Sequence, residues 1–162
     1  MLAGAKRVRQ IFVHGDESHS SLVAVIVPDV EALSAWYESH AKSASPSSSS
    51  TTPTAAEMCG DPKVHAMFEK AIRRSAKEGG LRPWEVPKML SFETEIDGNG
   101  LGFTVENGGM TTLFKLRHPH LSRKYSTTIK SLHAQRPQQT RGRTSVYTHE
   151  ANNATTSRAK AA

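Results

Sequence analysis

The sequence predicts an α+β fold: a small β-sheet with a hairpin, covered by helices, plus a disordered Ser-rich loop and tail. Three observations point there. Two β-rich runs near the start are joined by a short polar turn. Three later stretches carry apolar residues at helical spacing. Two further segments have almost no large apolar residues.

The elements follow in order. VRQIFVH, residues 8–14, is a strand with a mostly apolar centre. HGDESHS is a turn, because Gly15, Asp16 and the serines favour one. LVAVIV, residues 22–27, is a continuous run that fits a strand buried on both faces. The two make a β-hairpin. Pro28 stops the second strand, and Asp29 can cap a helix over 30–41 with Val30, Leu33, Trp36 and Tyr37 on one side. Residues 43–54 hold six serines, three threonines and two prolines. Such a segment cannot bury enough apolar surface to offset its chain entropy, and a low-complexity insertion is expected over 43–56.

A second helix starts at Asp61-Pro62, a capping residue followed by proline at the first helical position. Val64, Met67, Phe68, Ala71 and Ile72 form its stripe, and Gly79-Gly80 end it. A third strand is expected over 88–93 and a turn over 96–102. FTVE, from Phe103, reads as a short extended piece. Pro119 opens a final helix to about residue 134. Residues 1–134 are therefore read as the folded unit and 135–162 as a disordered basic tail.

Composition narrows the function classes. The net charge is +6, but Arg136, Arg141, Arg143, Arg158 and Lys160 stand against Glu150 alone in the tail, leaving only two positive charges on the body. That distribution suits a solvated end better than a specific nucleic-acid face. Cys59 is the one cysteine, which excludes an internal disulfide and two-cysteine zinc motifs. No apolar run reaches the length of a membrane span, no signal peptide is visible, and the chain does not end in the Ser-Lys-Leu peroxisomal address. An intracellular location is expected, in the cytoplasm or on the cytosolic face of a membrane.

Lys115, between Phe114 and Leu116 in TVENGGMTTLFKLRHP, has two readings. It is a surface lysine with its aliphatic stem against apolar neighbours. Or it is a compact cation that a glycine-bearing loop delivers to a phosphate or carboxylate. Among the eight histidines only His118 and His120 are close in sequence, and no HExxH or cysteine partner accompanies them, so no metal site is expected. Glu93, Glu95, Asp97 and Glu106 read as solvated edge charges, and no nucleophile elbow is present. Trp36, Tyr37 and Trp84 read as packing anchors.

Four stretches together carry a family resemblance. They are QIFVHGD (10–16), LVAVIVPD (22–29), GLRPWEVPK (80–88) and FTVENGGMTTLFKLRHPHL (103–121). In this order they resemble the C-terminal region of long-chain fatty acyl-CoA synthetases, of the adenylate-forming, AMP-binding superfamily. The family typically reads close to FTVENGLLTPTFKLKRPQL in the last stretch.

The resemblance implies a lid domain that swings over a large N-terminal domain. ATP, with Mg, and a fatty acid give an acyl-adenylate and pyrophosphate. Coenzyme A then displaces AMP to give the thioester. The loop lysine that serves adenylation falls on Lys115, with Asn107, Gly108, Thr111 and Phe114 as loop support. The family's phosphate loop, adenine- and acyl-binding elements and hinge lie upstream and are not in this sequence. The chain is thus expected to lack the N-terminal domain, to hold neither ATP nor coenzyme A alone, and to be inactive alone. Peripheral membrane contact is compatible with it. The alternative is a non-catalytic remnant or binding module with a basic tail. Thr112 replaces the family's loop proline and Gly109-Met110 its two leucines, which predicts a more flexible loop.

Overall fold

The computed structural model describes residues 6–40 and 53–135. Most of the expected insertion and all but the first residue of the expected tail lie outside the described residues. The elements are β1 (Val8–His14), β2 (Val23–Pro28), α1 (Val30–His40), α2 (Ala55–Cys59), α3 (Pro62–Glu78), β3 (Met89–Phe92), α4 (His118–Lys124) and α5 (Ser126–Gln135). The sheet order is β1-β2-β3. β1 pairs antiparallel with β2, as the hairpin reading requires, and β2 pairs parallel with β3. The fold is α+β with a mixed sheet.

β2 is the centre of the molecule. Every one of its residues is buried. Alternation along a strand sends neighbours to opposite faces. Ala24 and Ile26 meet Leu33, Met58, Val64, Phe68 and Ile72 from α1, α2 and α3. Val23, Val25 and Val27 meet Phe103, Leu121, Tyr125 and Ile129 on the other side. The continuous apolar run is thus the signature of a strand covered on both faces. Burying each of these larger side chains contributes about 1.5–3 kcal/mol before chain entropy is counted.

β1 would be expected to put Val8, Gln10 and Phe12 on one face. The register slips between Val8 and Gln10. Val8 consequently packs with the α1–α3 cluster and Phe12 with the opposite one. A slip of this kind re-aims side chains across a sheet. Its consequence here is to point Gln10 at the segment around Phe103.

Four expectations are corrected. The low-complexity stretch expected over 43–56 gives way to structure by Thr54. That residue caps α2 through a capping box with Glu57, and α2 buries Met58 and Cys59. FTVE is not extended, since residues 105–108 form a turn. The final helix is broken at Tyr125, whose backbone leaves helical geometry (φ −96°, ψ 13°) while its side chain reaches the core. Trp84 is 63% exposed rather than packed. It sits in the turn over 83–85, with the Arg82 guanidinium 5.5 Å from its ring centre. Trp36 and Tyr37 do pack against the α1–α3 cluster.

Candidate functional site

The segment that carries Lys115 is anchored before it is exposed. After the Asp97–Leu101 turn the chain crosses the β1–β2 sheet at Gly102 and Phe103, and Phe103 is fully buried. Gln10 of β1 grips it. Its Oε1 accepts from the backbone N–H groups of Gly102 (3.0 Å) and Phe103 (2.9 Å). Its Nε2 donates to the Phe103 carbonyl at 2.9 Å and lies 3.4 Å from Met110 Sδ. Buried backbone groups need such partners.

Asn107 staples the next turn. Its Oδ1 accepts from Thr104 N and Gly109 N, both at 3.0 Å, and its Nδ2 donates to the Gly102 carbonyl at 2.8 Å. Gly108 takes a positive φ of 73°, which glycine adopts without cost. Gly109 passes so close to Phe103 that an added Cβ would lie 3.2 Å from the Phe103 Cα and 2.9 Å from Asn107 Oδ1.

The outer loop then closes on itself. Met110 and Leu116 form an antiparallel bridge. Thr111 N donates to the Lys115 carbonyl at 2.8 Å, and Phe114 N to the Thr111 carbonyl at 2.9 Å. Lys115 N donates to Thr111 Oγ1 at 3.2 Å. Phe114 sits in the left-handed region at φ 56°, unusual for a bulky residue. Such strain concentrates at functional turns. Leu113 and Phe114 are about three-quarters exposed, at 76% and 75%. Lys115 is exposed beside them, and among the described residues its ammonium has no acidic partner.

The structure thus brings Asn107, Gly108, Thr111, Phe114 and Lys115 into one loop. Gln10 was missed: a polar residue at a strand's edge carries no signal of a partner 93 positions away. Thr111 closes the tip where the family's proline is absent, and Asn107 ties its base. His118 and His120 do not form a site. The His118 ring packs 5.3 Å from that of Phe12, and the His120 ring lies over Gly108.

The carboxylates divide. Glu95 and Glu106 are exposed, and Asp97 holds its own turn by accepting from Asn99 N and Leu101 N. Glu93 is buried, which corrects the reading of all four as solvated. Its Oε2 accepts from the Tyr125 hydroxyl and from Lys124 Nζ at 2.9 Å, and its Oε1 accepts from Glu95 N at 3.0 Å. Burial opposes the charged form of Glu93, but the Tyr125 and Lys124 hydrogen bonds outweigh it and hold the carboxyl below its ordinary value. Burial, then the Glu93 charge, pushes the Tyr125 phenol far above its ordinary value. Buried Glu93 and Tyr125, with Lys124 reaching in from the surface, fix the α4–α5 break at the end of β3, beside the anchored loop.

No protein-family profile matches the chain. Individual proteins do. Mouse long-chain-fatty-acid–CoA ligase 5 is 31% identical over 129 residues, 80% of this chain and 17% of its own length. The Arabidopsis thaliana peroxisomal long chain acyl-CoA synthetase 6 is 31% identical over 144 residues, 86% of this chain and 18% of its own. The chain is a relative of the adenylate-forming, AMP-binding enzymes that include long-chain fatty acid–CoA ligases and carboxylic acid reductases. Human long-chain-fatty-acid–CoA ligase 1 matches at 28% over 127 residues. This acyl-CoA synthetase relative spans about a sixth of the length of the curated proteins it matches, 16% for the human ligase.

Solved structures agree with the fold. The adenylation domain of a Mycobacterium chelonae carboxylate reductase superposes with a TM-score of 0.60 at 26% identity, over 82% of this chain and 16% of that one. A two-domain structure of the Segniliparus rugosus carboxylic acid reductase, solved with AMP, gives 0.61 at 28% identity, over 83% and 15%. No helix among the described residues is long and apolar enough to cross a membrane.

Proposed function

We propose that this chain supplies the C-terminal lid of a long-chain fatty acid–CoA ligase and that Lys115 is its adenylation lysine. The observation that carries the reading is the contrast within one loop. Its base is held by Gln10 and Asn107, while Lys115 stands exposed and unpaired by any described acid at a tip whose turn is closed by Thr111. A fixed base with a free cation suits delivery of one charge into a site formed by other residues.

The chemistry follows from charge. ATP-dependent activation of a carboxylate puts negative charge on the α-phosphate and the attacking carboxylate. A compact ammonium brought there lowers the barrier of that step. A charge needed in one half-reaction only is well carried on a lid that can leave. Leu113 and Phe114, exposed beside it, would supply apolar contact with the body that the lid covers. The fatty acid, ATP and coenzyme A would be held by that body. The described residues contain no phosphate loop, so the 162 residues alone should show negligible ligase activity.

Lys115→Ala in a complete ligase carrying this region should slow acyl-adenylate formation by about 100- to 1000-fold, with thioester formation from supplied acyl-adenylate much less affected. Equal loss in both half-reactions would overturn the assignment. A second assay follows AMP release by the pure chain with ATP, coenzyme A and palmitate. Clear turnover there would overturn the lid reading.

A further inference from the structure

Histidines that are scattered in sequence converge at one end of the fold. Asp16 and His19 lie in the β1–β2 turn, and His133 lies in the last turn of α5. One ligand atom from each falls within 4.8 Å of the other two. The His19 and His133 rings stack with centres 3.7 Å apart and planes 17° from parallel. Asp16 Oδ1 lies 2.9 Å from His19 Nδ1 and also accepts from Ser18 N at 2.8 Å.

We infer that Asp16, His19 and His133 form a binding site for a divalent transition-metal ion of the zinc type. Two imidazoles and a carboxylate are a donor set that such ions take, leaving a fourth position for water. Tetrahedral coordination at about 2.0–2.1 Å puts ligand atoms roughly 3.3 Å apart. Binding requires the His19 ring to turn out of its stack on His133 and the donors to close from the observed spacing, and Asp16 and His19, partly exposed side chains on a turn, can do both.

Two surroundings favour the site. His14 stands behind Asp16: its Nδ1 is 3.2 Å from Ser122 Oγ, which aims Nε2 at Asp16 Oδ2, 3.7 Å away. An outer partner of this kind orients a ligating carboxylate. The C-terminal end of α5 presents the negative end of its dipole to the ion. A bound ion would clip the hairpin turn to the last helix, across more than a hundred residues of sequence.

The test uses the untagged 162-residue chain, stripped with chelator and titrated with zinc chloride in a non-coordinating buffer. One equivalent should bind with micromolar or tighter affinity, and the unfolding temperature should rise. In imidazole NMR spectra the His19 and His133 signals should move on zinc addition while those of His40 and His65 stay. His19→Gln and His133→Gln should each weaken binding by about tenfold or more, and His14→Gln should weaken it less. Absence of saturable uptake would overturn the site. So would unmoved His19 and His133 signals, a readout that requires no variant. Undiminished affinity in a folded His19→Gln/His133→Gln double variant would also overturn it.

Discussion

The side-chain amide of Gln10 pairs with Phe103 from both sides, accepting from its N–H and donating to its carbonyl, each at 2.9 Å. One strand residue therefore replaces the sheet neighbour that this segment lacks. The geometry ties the exposed lysine loop to the most buried part of the fold. Gln10→Ala removes the partners of three backbone groups at once. An unpaired buried group costs about 1–3 kcal/mol, so stability in urea should fall by at least that much. Amide exchange at 102–110 should accelerate. A loss below about 0.5 kcal/mol, with unchanged exchange, would show that the grip is dispensable.

Gly109 marks a departure from the resembling family, which has leucine there. A Cβ at this position would stand 3.2 Å from Phe103 Cα and 2.9 Å from Asn107 Oδ1. Restoring the leucine should therefore destabilise this chain, by about 1–3 kcal/mol as for overpacked cores. Denaturation of Gly109→Ala and Gly109→Leu side by side checks it. An increase in stability for either would mean that the loop base can move away from Phe103 freely.

Glu93 links stability to pH. Its folded-state pKa lies below the ordinary 4.5, so the folded form holds the proton more weakly than the unfolded chain does. The stabilisation is present above that ordinary value and is lost as pH falls through the lower folded value. Tyr125 behaves in the opposite sense. Its pKa is raised, so its contribution is intact below its ordinary 10.0 and fades only at strongly alkaline pH. Tyr125→Phe removes one hydrogen bond to Glu93 and should cost about 1–3 kcal/mol at neutral pH, with a shallower acid limb. Stability measured from pH 3 to 7 for wild type, Tyr125→Phe and Glu93→Gln decides. An unchanged acid limb in Glu93→Gln would remove Glu93 from the account.

Cys59 offers a reporter. It is buried in α2, and burial pushes its thiol up to about 11. The thiolate is the reactive form. The folded chain should react with a thiol reagent at pH 8 far more slowly than the same chain in denaturant, as a single phase because Cys59 is the sole cysteine. Equal rates in both states would mean that α2 opens freely.

Much of the fold was legible because it follows from local periodicity. The run LVAVIV announced a strand covered on both faces, and Asp61-Pro62 announced the start of α3. The helical stripes identified α1 and α3 and approximated α4–α5. Thr54 could have been read as a cap from Glu57 three residues later, but the serine-rich composition around it hid that signal. The resemblance in FTVENGGMTTLFKLRHPHL drew attention to Lys115 and to Asn107, and both stand in the one loop.

What the sequence determined by itself was the kind and order of most elements, though not α2 or the break between α4 and α5, and the family resemblance. Those depend on near neighbours along the chain and on motifs that survive as strings. Only the tertiary structure decided that Gln10 grips Phe103, that Glu93 is buried under Tyr125, and that His19 stacks on His133. Each pairs residues at least 32 positions apart. The register slip in β1 lies beside Gln10, and Tyr125 stands at the break between α4 and α5. A polar side chain carries no mark of its distant partner, because that partner is chosen by how the elements pack and not by what lies beside it.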